Sequence, residues 1–271
     1  MIKKTISKNN RPKIGLALGG GGAKGISHVG VIKVLEENNI PIDFITGTSI
    51  GAMVGGFYSA LKNISYIENI IKKTDIKKFL FMMFDPTREA GLVHGDKVIK
   101  FIRESLGDVD FKELSIPFSA VATDLSSTNA FYFEKKGDLV EAIRASISYP
   151  PIFAPVKIGN HILVDGGLVC PVPTEKVKEM GADIVIGVNL EEDYILPSDA
   201  PKSISKIFDR SIQTTIKKMA SENMKIADIS INPKVGSFRT WRDFDKGGGL
   251  IEIGRQATLE KIQEIKKRLE N

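Results

Sequence analysis

The stretch Asp43–Tyr58, DFITGTSIGAMVGGFY, constrains this chain more than any other. Phe44, Ile45 and Thr46 favour extended backbone and read as a short buried strand. Gly47-Thr48-Ser49-Ile50-Gly51 follows at once and fits G-x-S-x-G, and residues 50–61 then read as a helix. A serine on so sharp a strand-to-helix turn is strained, with its hydroxyl exposed. Gly47 and Gly51 suit the turn, because a Cβ there would collide with the neighbouring strand and helix. The helix behind the serine points free N–H groups and the positive end of its dipole at the site. Alone, the pattern also describes a plain glycine-rich turn, so its meaning depends on its surroundings.

Lys13–Leu18, KIGLAL, is an apolar run bounded by glycines and reads as a buried parallel strand. After Gly19–Gly25, apolar residues at Ile26, Val29, Ile32 and Leu35 have helical spacing, which Asn38-Asn39 and Pro41 end. Strand, glycine loop, helix and strand make a β-α-β crossover, so a parallel sheet is expected.

The glycine loop admits three readings. Gly20-x-Gly22-x-x-Gly25 matches a dinucleotide fingerprint, which also needs an acid at the end of the second strand. Asp43 has roughly that separation but stands at the strand's start. A phosphate-binding P-loop fails, because Lys24 is followed by Gly25. The third reading is an oxyanion hole, with the N–H groups of Gly20, Gly21 and Gly22 at the sheet edge where Ser49 emerges. Lys24 reads slightly better as a solvated lysine than as a residue that steadies the loop or attracts an anionic head group.

Further along, Ser65–Ile76 and His94–Leu106 read as amphipathic helices, the second with Val98, Phe101 and Ile102 inward. Between them Phe79–Phe84 is six apolar residues flanked by lysines. It reads as a core helix or dimer interface, or as a lid that docks peripherally on a membrane. Ile116–Leu125 and Ala130–Phe133 read as strands and Leu139–Ser146 as a helix. The prolines of Ile147–Pro155 exclude regular structure. A hairpin is expected at Val156–Ile158 and His161–Val164, closed by Asp165-Gly166-Gly167. A helix (Thr174–Met180), a buried strand (Ala182–Asn189), a long helix (Ser203–Ile226), a strand (Asp228–Pro233) and a last helix (Leu250–Leu269) complete the chain. In the long helix Ile204, Ile207, Phe208, Ile212, Ile216 and Met219 share one face. No repeat or linker appears, so residues 1–271 read as one domain, with 1–12 flexible.

A nucleophilic serine needs a base, and the chain has 3 histidines, His28, His94 and His161. Ser49, Asp124 and His161 stand in the chain order of a triad. Yet alternation puts His161 and Asp165 on one face of a strand, with His161 about 13 Å behind Asp165. One of the two is misplaced for the site. Asp165-Gly166-Gly167 also reads as an ordinary Asp-Gly turn.

Taken together, Gly20–Gly25 (GGGAKG), Gly47–Gly51 (GTSIG), Ala145-Ser146 with Pro150 and Phe153, and Asp165–Gly167 (DGG) resemble the patatin-like phospholipase family, bacterial branch. The resemblance runs from about Lys13 to about Asn189. It implies a three-layer α/β/α sandwich with a mostly parallel central sheet. It implies lipid acyl hydrolysis by a Ser-Asp dyad without histidine, metal or cofactor. Ser49 would be the nucleophile, Asp165 the base and Gly20–Gly22 the oxyanion hole, with Lys24, Gly25, Gly166 and Gly167 in support. Many family members carry arginine where Lys24 stands, which leaves a bidentate role there open.

The net charge of +5 permits an anionic membrane surface without demanding one, and no aromatic-basic interleaving suggests nucleic acid. The single Cys170 excludes an internal disulfide framework and suits a reducing cytoplasm. Competing functions are a nucleotide-binding module built on Gly20–Gly25 and a regulatory scaffold of the same fold.

Overall fold

The computed structural model describes residues 11–73, 93–193, 200–201, 203–238 and 243–270. Five parallel strands carry the centre: β1 (Ile14–Leu18), β2 (Phe44–Thr48), β3 (Phe118–Asp124), β7 (Ile184–Val188) and β8 (Ile229–Ile231). β4 (Asn129–Phe133), β5 (Val156–Ile158) and β6 (His161–Asp165) join antiparallel, and hydrogen-bonded neighbours run β5-β6-β3-β2-β1-β7-β8, with β4 also on β3. β1, β3 and β7 are buried along their whole length. This is why they read as continuous apolar runs and not as alternating ones.

Helices cover the sheet. They are α1 (Ser27–Glu37), α2 (Ile50–Leu61), α3 (Ile64–Lys73), α4 (Asp96–Leu106), α5 (Leu139–Ser146), α6 (Thr174–Glu179), α7 (Ile204–Met224), α8 (Gly247–Leu259) and α9 (Ile262–Glu270). The expected α/β sandwich with a mostly parallel sheet is present. α1 and α8 pack backbone to backbone: a Cβ on Gly30 would lie 1.9 Å from Ile251 O, and one on Gly254 1.9 Å from Ser27 O. Only glycine permits that approach.

Two expectations need correction. The last helix, expected as one element over Leu250–Leu269, is two, α8 and α9, and α8 starts earlier, at Gly247. Gly247 packs where a Cβ would meet Ile71 at 2.9 Å, so tertiary contact outweighs poor helix propensity. In α7 the shared apolar face is not uniformly buried. Ile216 is covered, whereas Ile204 is 87% exposed and Ile207 and Phe208 are about half exposed. In α4 the expected inward residues do face the core: Val98 and Ile102 are buried, and the partly exposed Phe101 packs against the same cluster. Phe79–Phe84 and residues 1–10 lie outside the described residues. No helix among the described residues is long and apolar enough to cross a membrane.

Candidate active site

The strand registers bring the two motif residues together. β2 pairs with β3 as far as Thr48↔Val121, and β6 pairs with β3 from Ala122↔Asp165 onward. β4 pairs with residues 120–124 of β3, so it occupies the opposite edge. β2 and β6 therefore share one edge of β3 end to end, running toward each other. The residue after Thr48 meets the last residue of β6, and Ser49 Oγ lies 2.6 Å from Asp165 Oδ2.

Ser49 caps α2 with φ 56° and ψ −123°, in the left-handed half of backbone space that side chains avoid. The surrounding contacts hold it there. Its N–H donates to Ser146 Oγ at 2.9 Å, and the Ser146 hydroxyl donates to Val121 O at 2.6 Å. Close packing explains both flanking glycines. A Cβ on Gly47 would lie 2.4 Å from Gly51 O, and one on Gly51 2.2 Å from Leu18 O.

Asp165 is 2% exposed. Its Oδ1 accepts from Gly167 N at 2.7 Å, its backbone N–H donates to Ser148 O, and Thr123 Oγ1 donates to its carbonyl. Burial pushes its pKa up to about 6, against the hydrogen bonds from Ser49 and Gly167, which lower it. Gly166 fits under β3, where a Cβ would be 2.4 Å from Val121 O. The preceding proline segment is anchored by Arg144, which donates to Ser148 Oγ at 2.5 Å and Ala154 O at 3.1 Å.

The glycine loop leaves β1 beside Ser49, and a Cβ on Gly20 would lie 3.5 Å from that of Ser49. His28 Nε2 is 2.8 Å from Gly19 O. Gly20 N–H donates to Pro171 O at 3.0 Å. The N–H groups of Gly21 and Gly22 have no acceptor among the described residues. Gly22 has φ 55° and opens a 3-10 turn, Gly22–Ile26. Gly25 seats Ile50, whose Cγ2 a Cβ would meet at 2.1 Å.

Lys24 is not solvated. It is fully buried, and its Nζ lies 3.3 Å from both carboxylate oxygens of Glu191. The expectation of a solvated lysine treats the chain locally, whereas the partner lies 167 residues away. Glu191 is not singled out by the sequence. It follows β7, the neighbour of β1, so the loops after these two strands lie side by side.

A pocket of about 400 Å³, its open mouth included, is lined by the glycine loop, Ser49, Asp165 and Glu191, with Tyr149, Gln213 and Ile216 on further sides. Gln213 Nε2 donates to Tyr149 OH at 3.2 Å. The last three are wall residues that sequence reasoning did not single out. The amphipathic pattern of α7 marked Ile216 only as a core residue.

No histidine lines this pocket. His28 is fully buried against Gly19, and burial lowers its pKa to about 4. His94 Nδ1 pairs with Asp96. His161 Nδ1 lies 2.9 Å from Asp124 Oδ2, where Asp124 also accepts from Ser126 N and Ser127 Oγ. Asp124 is thus spent on a turn, and the triad order Ser49, Asp124, His161 is not assembled. Asp43 is held by Arg11 at 2.7 Å and by Ile14 N at 2.7 Å, so it is not free at a strand end for a ribose. Among the described residues no group of three or more His, Cys, Asp or Glu comes together to hold a metal ion.

The sequence pattern of patatin-like phospholipases matches residues 16–177, more than half of the chain. The chain belongs to the patatin-like phospholipase family. That span includes the glycine loop, the Ser49 turn and Asp165, and it ends before Glu191 and α7. An uncharacterized NTE family protein of Mycobacterium tuberculosis is 34% identical over 213 residues, covering 78% of this chain and 58% of that one. The chain therefore spans a little over half the length of this relative. Neuropathy target esterase sws of Drosophila melanogaster is 32% identical over 183 residues, 65% of this chain and 13% of that one. Among solved structures, VipD from Legionella pneumophila superposes with a TM-score of 0.55 over 94% of this chain and 67% of that one, at 13% identity. It shares the fold.

Proposed function

We propose that this patatin-like protein is a lipid acyl hydrolase of the phospholipase A or lysophospholipase type, with Ser49 as nucleophile and Asp165 as general base. The observation that carries the reading is the 2.6 Å contact between Ser49 Oγ and Asp165 Oδ2 on a turn strained to φ 56°. The Drosophila melanogaster relative, a neuropathy target esterase by name, is in keeping with it.

In the proposed cycle the Ser49 oxygen attacks the ester carbonyl carbon while its proton passes to Asp165. The carbonyl π electrons move to oxygen, and the Gly21 and Gly22 N–H groups, both uncommitted, donate to that oxyanion. Gly20, whose N–H is engaged with Pro171 O, holds the loop against Ser49. The tetrahedral intermediate collapses, the C–O bond to the alcohol breaks, and Asp165 returns its proton to the leaving oxygen. Water then attacks the acyl-enzyme carbonyl while Asp165 takes its proton, the bond from carbon to Ser49 Oγ breaks, Asp165 returns the proton to that oxygen, and the free acid leaves. A carboxylate is a weak base for a serine hydroxyl. Burial, which lifts Asp165 to about 6, narrows the gap, and the oxyanion donors with the α2 dipole supply the remaining stabilisation. Ile216 and Pro171 give the pocket an apolar wall for an acyl chain.

Hydrolysis of p-nitrophenyl esters of graded length and of a 1-acyl lysophospholipid tests the proposal. Rates should rise with chain length and vanish in Ser49→Ala. Failure of the native protein to cleave any member of the panel, or full activity in Ser49→Ala, overturns it. A reducing cytoplasmic setting fits Cys170, which is buried with its thiol pushed up to about 12.

A further inference from the structure

Lys24 and Glu191 form a buried ion pair that the dyad chemistry does not use. Lys24 is 0% exposed and Glu191 4%, and both carboxylate oxygens are 3.3 Å from Nζ. A pair removed from water gains little net stability over an apolar replacement of similar volume. Its placement is more telling. Lys24 sits in the 3-10 turn that immediately follows Gly21, and Glu191 sits on the loop after β7. The pair ties the two loops together across the mouth of the β1–β7 ladder.

The Glu191 end is anchored independently. Its N–H donates to Asn189 Oδ1 at 3.0 Å, and Asn189 N donates to Ile231 O of β8 at 3.0 Å. From that footing Glu191 packs under the glycine loop. A Cβ on Gly21 would lie 3.6 Å from Glu191 Oε1 and 3.0 Å from Leu190 Cδ1. Glu191 also faces the pocket that holds Ser49 and Asp165. An unpaired carboxylate there would oppose a developing oxyanion, so its pairing with Lys24 neutralises it as well as fixing it. Burial acts on Glu191 to raise its pKa and Lys24 acts to lower it.

We propose that Glu191 is a positioning residue, which acts through Lys24 and Gly21 to hold the Gly21 and Gly22 N–H groups on the spot where the oxyanion forms. The inference rests on the Ser49 reading above. It assigns to the loop after β7 a role in hydrolysis that lies outside the span matched by the family pattern.

The test is steady-state hydrolysis of one p-nitrophenyl ester by four proteins: native, Glu191→Gln, the paired apolar variant Lys24→Met with Glu191→Met, and Ser49→Ala. Misplacing oxyanion donors by a fraction of an ångström lowers kcat by about 10- to 100-fold, with KM within about twofold, because the ground-state carbonyl makes little of those contacts. Glu191→Gln should show that split and a lower Tm, since it removes the carboxylate that pairs the buried Lys24. The paired variant strands no charge, so it should recover the Tm of the native protein and still keep the lowered kcat. That separation of stability from kcat is the signature of positioning. Native kcat in Glu191→Gln, or native kcat restored in the paired variant, overturns the proposal. Should Glu191→Gln fail to fold, the paired variant alone decides by the same criterion. Activity surviving in Ser49→Ala overturns both this inference and the reading it rests on, whereas loss in Ser49→Ala with native kcat in the Glu191 variants overturns only this one.

Discussion

Replacing Asp165 by Asn should inactivate the protein and stabilise it. The carboxyl is 2% exposed and titrates near 6 in the fold against an ordinary value of 3.8. Its protonated form contributes stability that is fully present below about pH 4 and is lost as pH rises through 6. At 1.36 kcal/mol per pH unit, the charged carboxylate costs the folded state about 3 kcal/mol at pH 8. Asn keeps an acceptor for Gly167 N and carries no charge, so Asp165→Asn should recover about 1–3 kcal/mol of this at pH 8, or roughly 2–5 °C in Tm for a chain of 271 residues. The stability gap between variant and native protein should be near zero at pH 4, open between pH 4 and 6, and stay level above. Other carboxylates titrate alike in both proteins and cancel. Hydrolysis should fall by about 10²- to 10⁴-fold. Scanning calorimetry from pH 4 to 8 on both proteins measures the gap. A gap that is flat across this range, or a variant less stable at pH 8, would refute the argument that burial is what tunes this group.

In the native protein kcat/KM should rise with pH through about 6, because Asp165 must be ionised to accept the proton; a pH profile unchanged from 5 to 8 would count against it. Of two inactive variants, Ser49→Gly should be more stable than Ser49→Ala by about 1 kcal/mol in thermal unfolding, since alanine keeps a Cβ at φ 56°. His161→Gln and His94→Gln should retain most hydrolysis in an ester assay, because neither ring lines the pocket. Gly51→Ala, whose Cβ would lie 2.2 Å from Leu18 O, should lose about 2–3 kcal/mol in urea unfolding and displace the serine turn enough to abolish activity.

The first crossover was legible because every signal in it is local. An apolar run, a glycine loop, helical spacing from Ile26 to Leu35 and the turn at Ser49 each announce themselves within a few residues. The histidine argument is local in the same way, since the rise along one strand puts His161 about 13 Å behind Asp165. What the sequence does not print is register. Ser49 meets Asp165 because β6 takes up the edge of β3 where β2 leaves off, a fact about pairing and not about either motif. Lys24 was misread for want of its partner, Glu191, and nothing near Lys24 in the chain points to it. The uneven burial of α7 escaped notice because a helical wheel tells which residues share a face, not how far along the helix that face is covered. The start of α8 at Gly247 was missed because glycine is a poor helix former, whereas Gly247 packs against Ile71.

The central claim is that Ser49 is the nucleophile and that Asp165 activates it. A fluorophosphonate probe captures an activated serine covalently, independent of any choice of lipid, and mass spectrometry of the digested adduct locates it. A single adduct on the peptide containing Ser49 is expected, formed at least about 100-fold more slowly in Asp165→Asn and absent in Ser49→Ala. An adduct on another residue, or labelling of Ser49 at the native rate in Asp165→Asn, would contradict it.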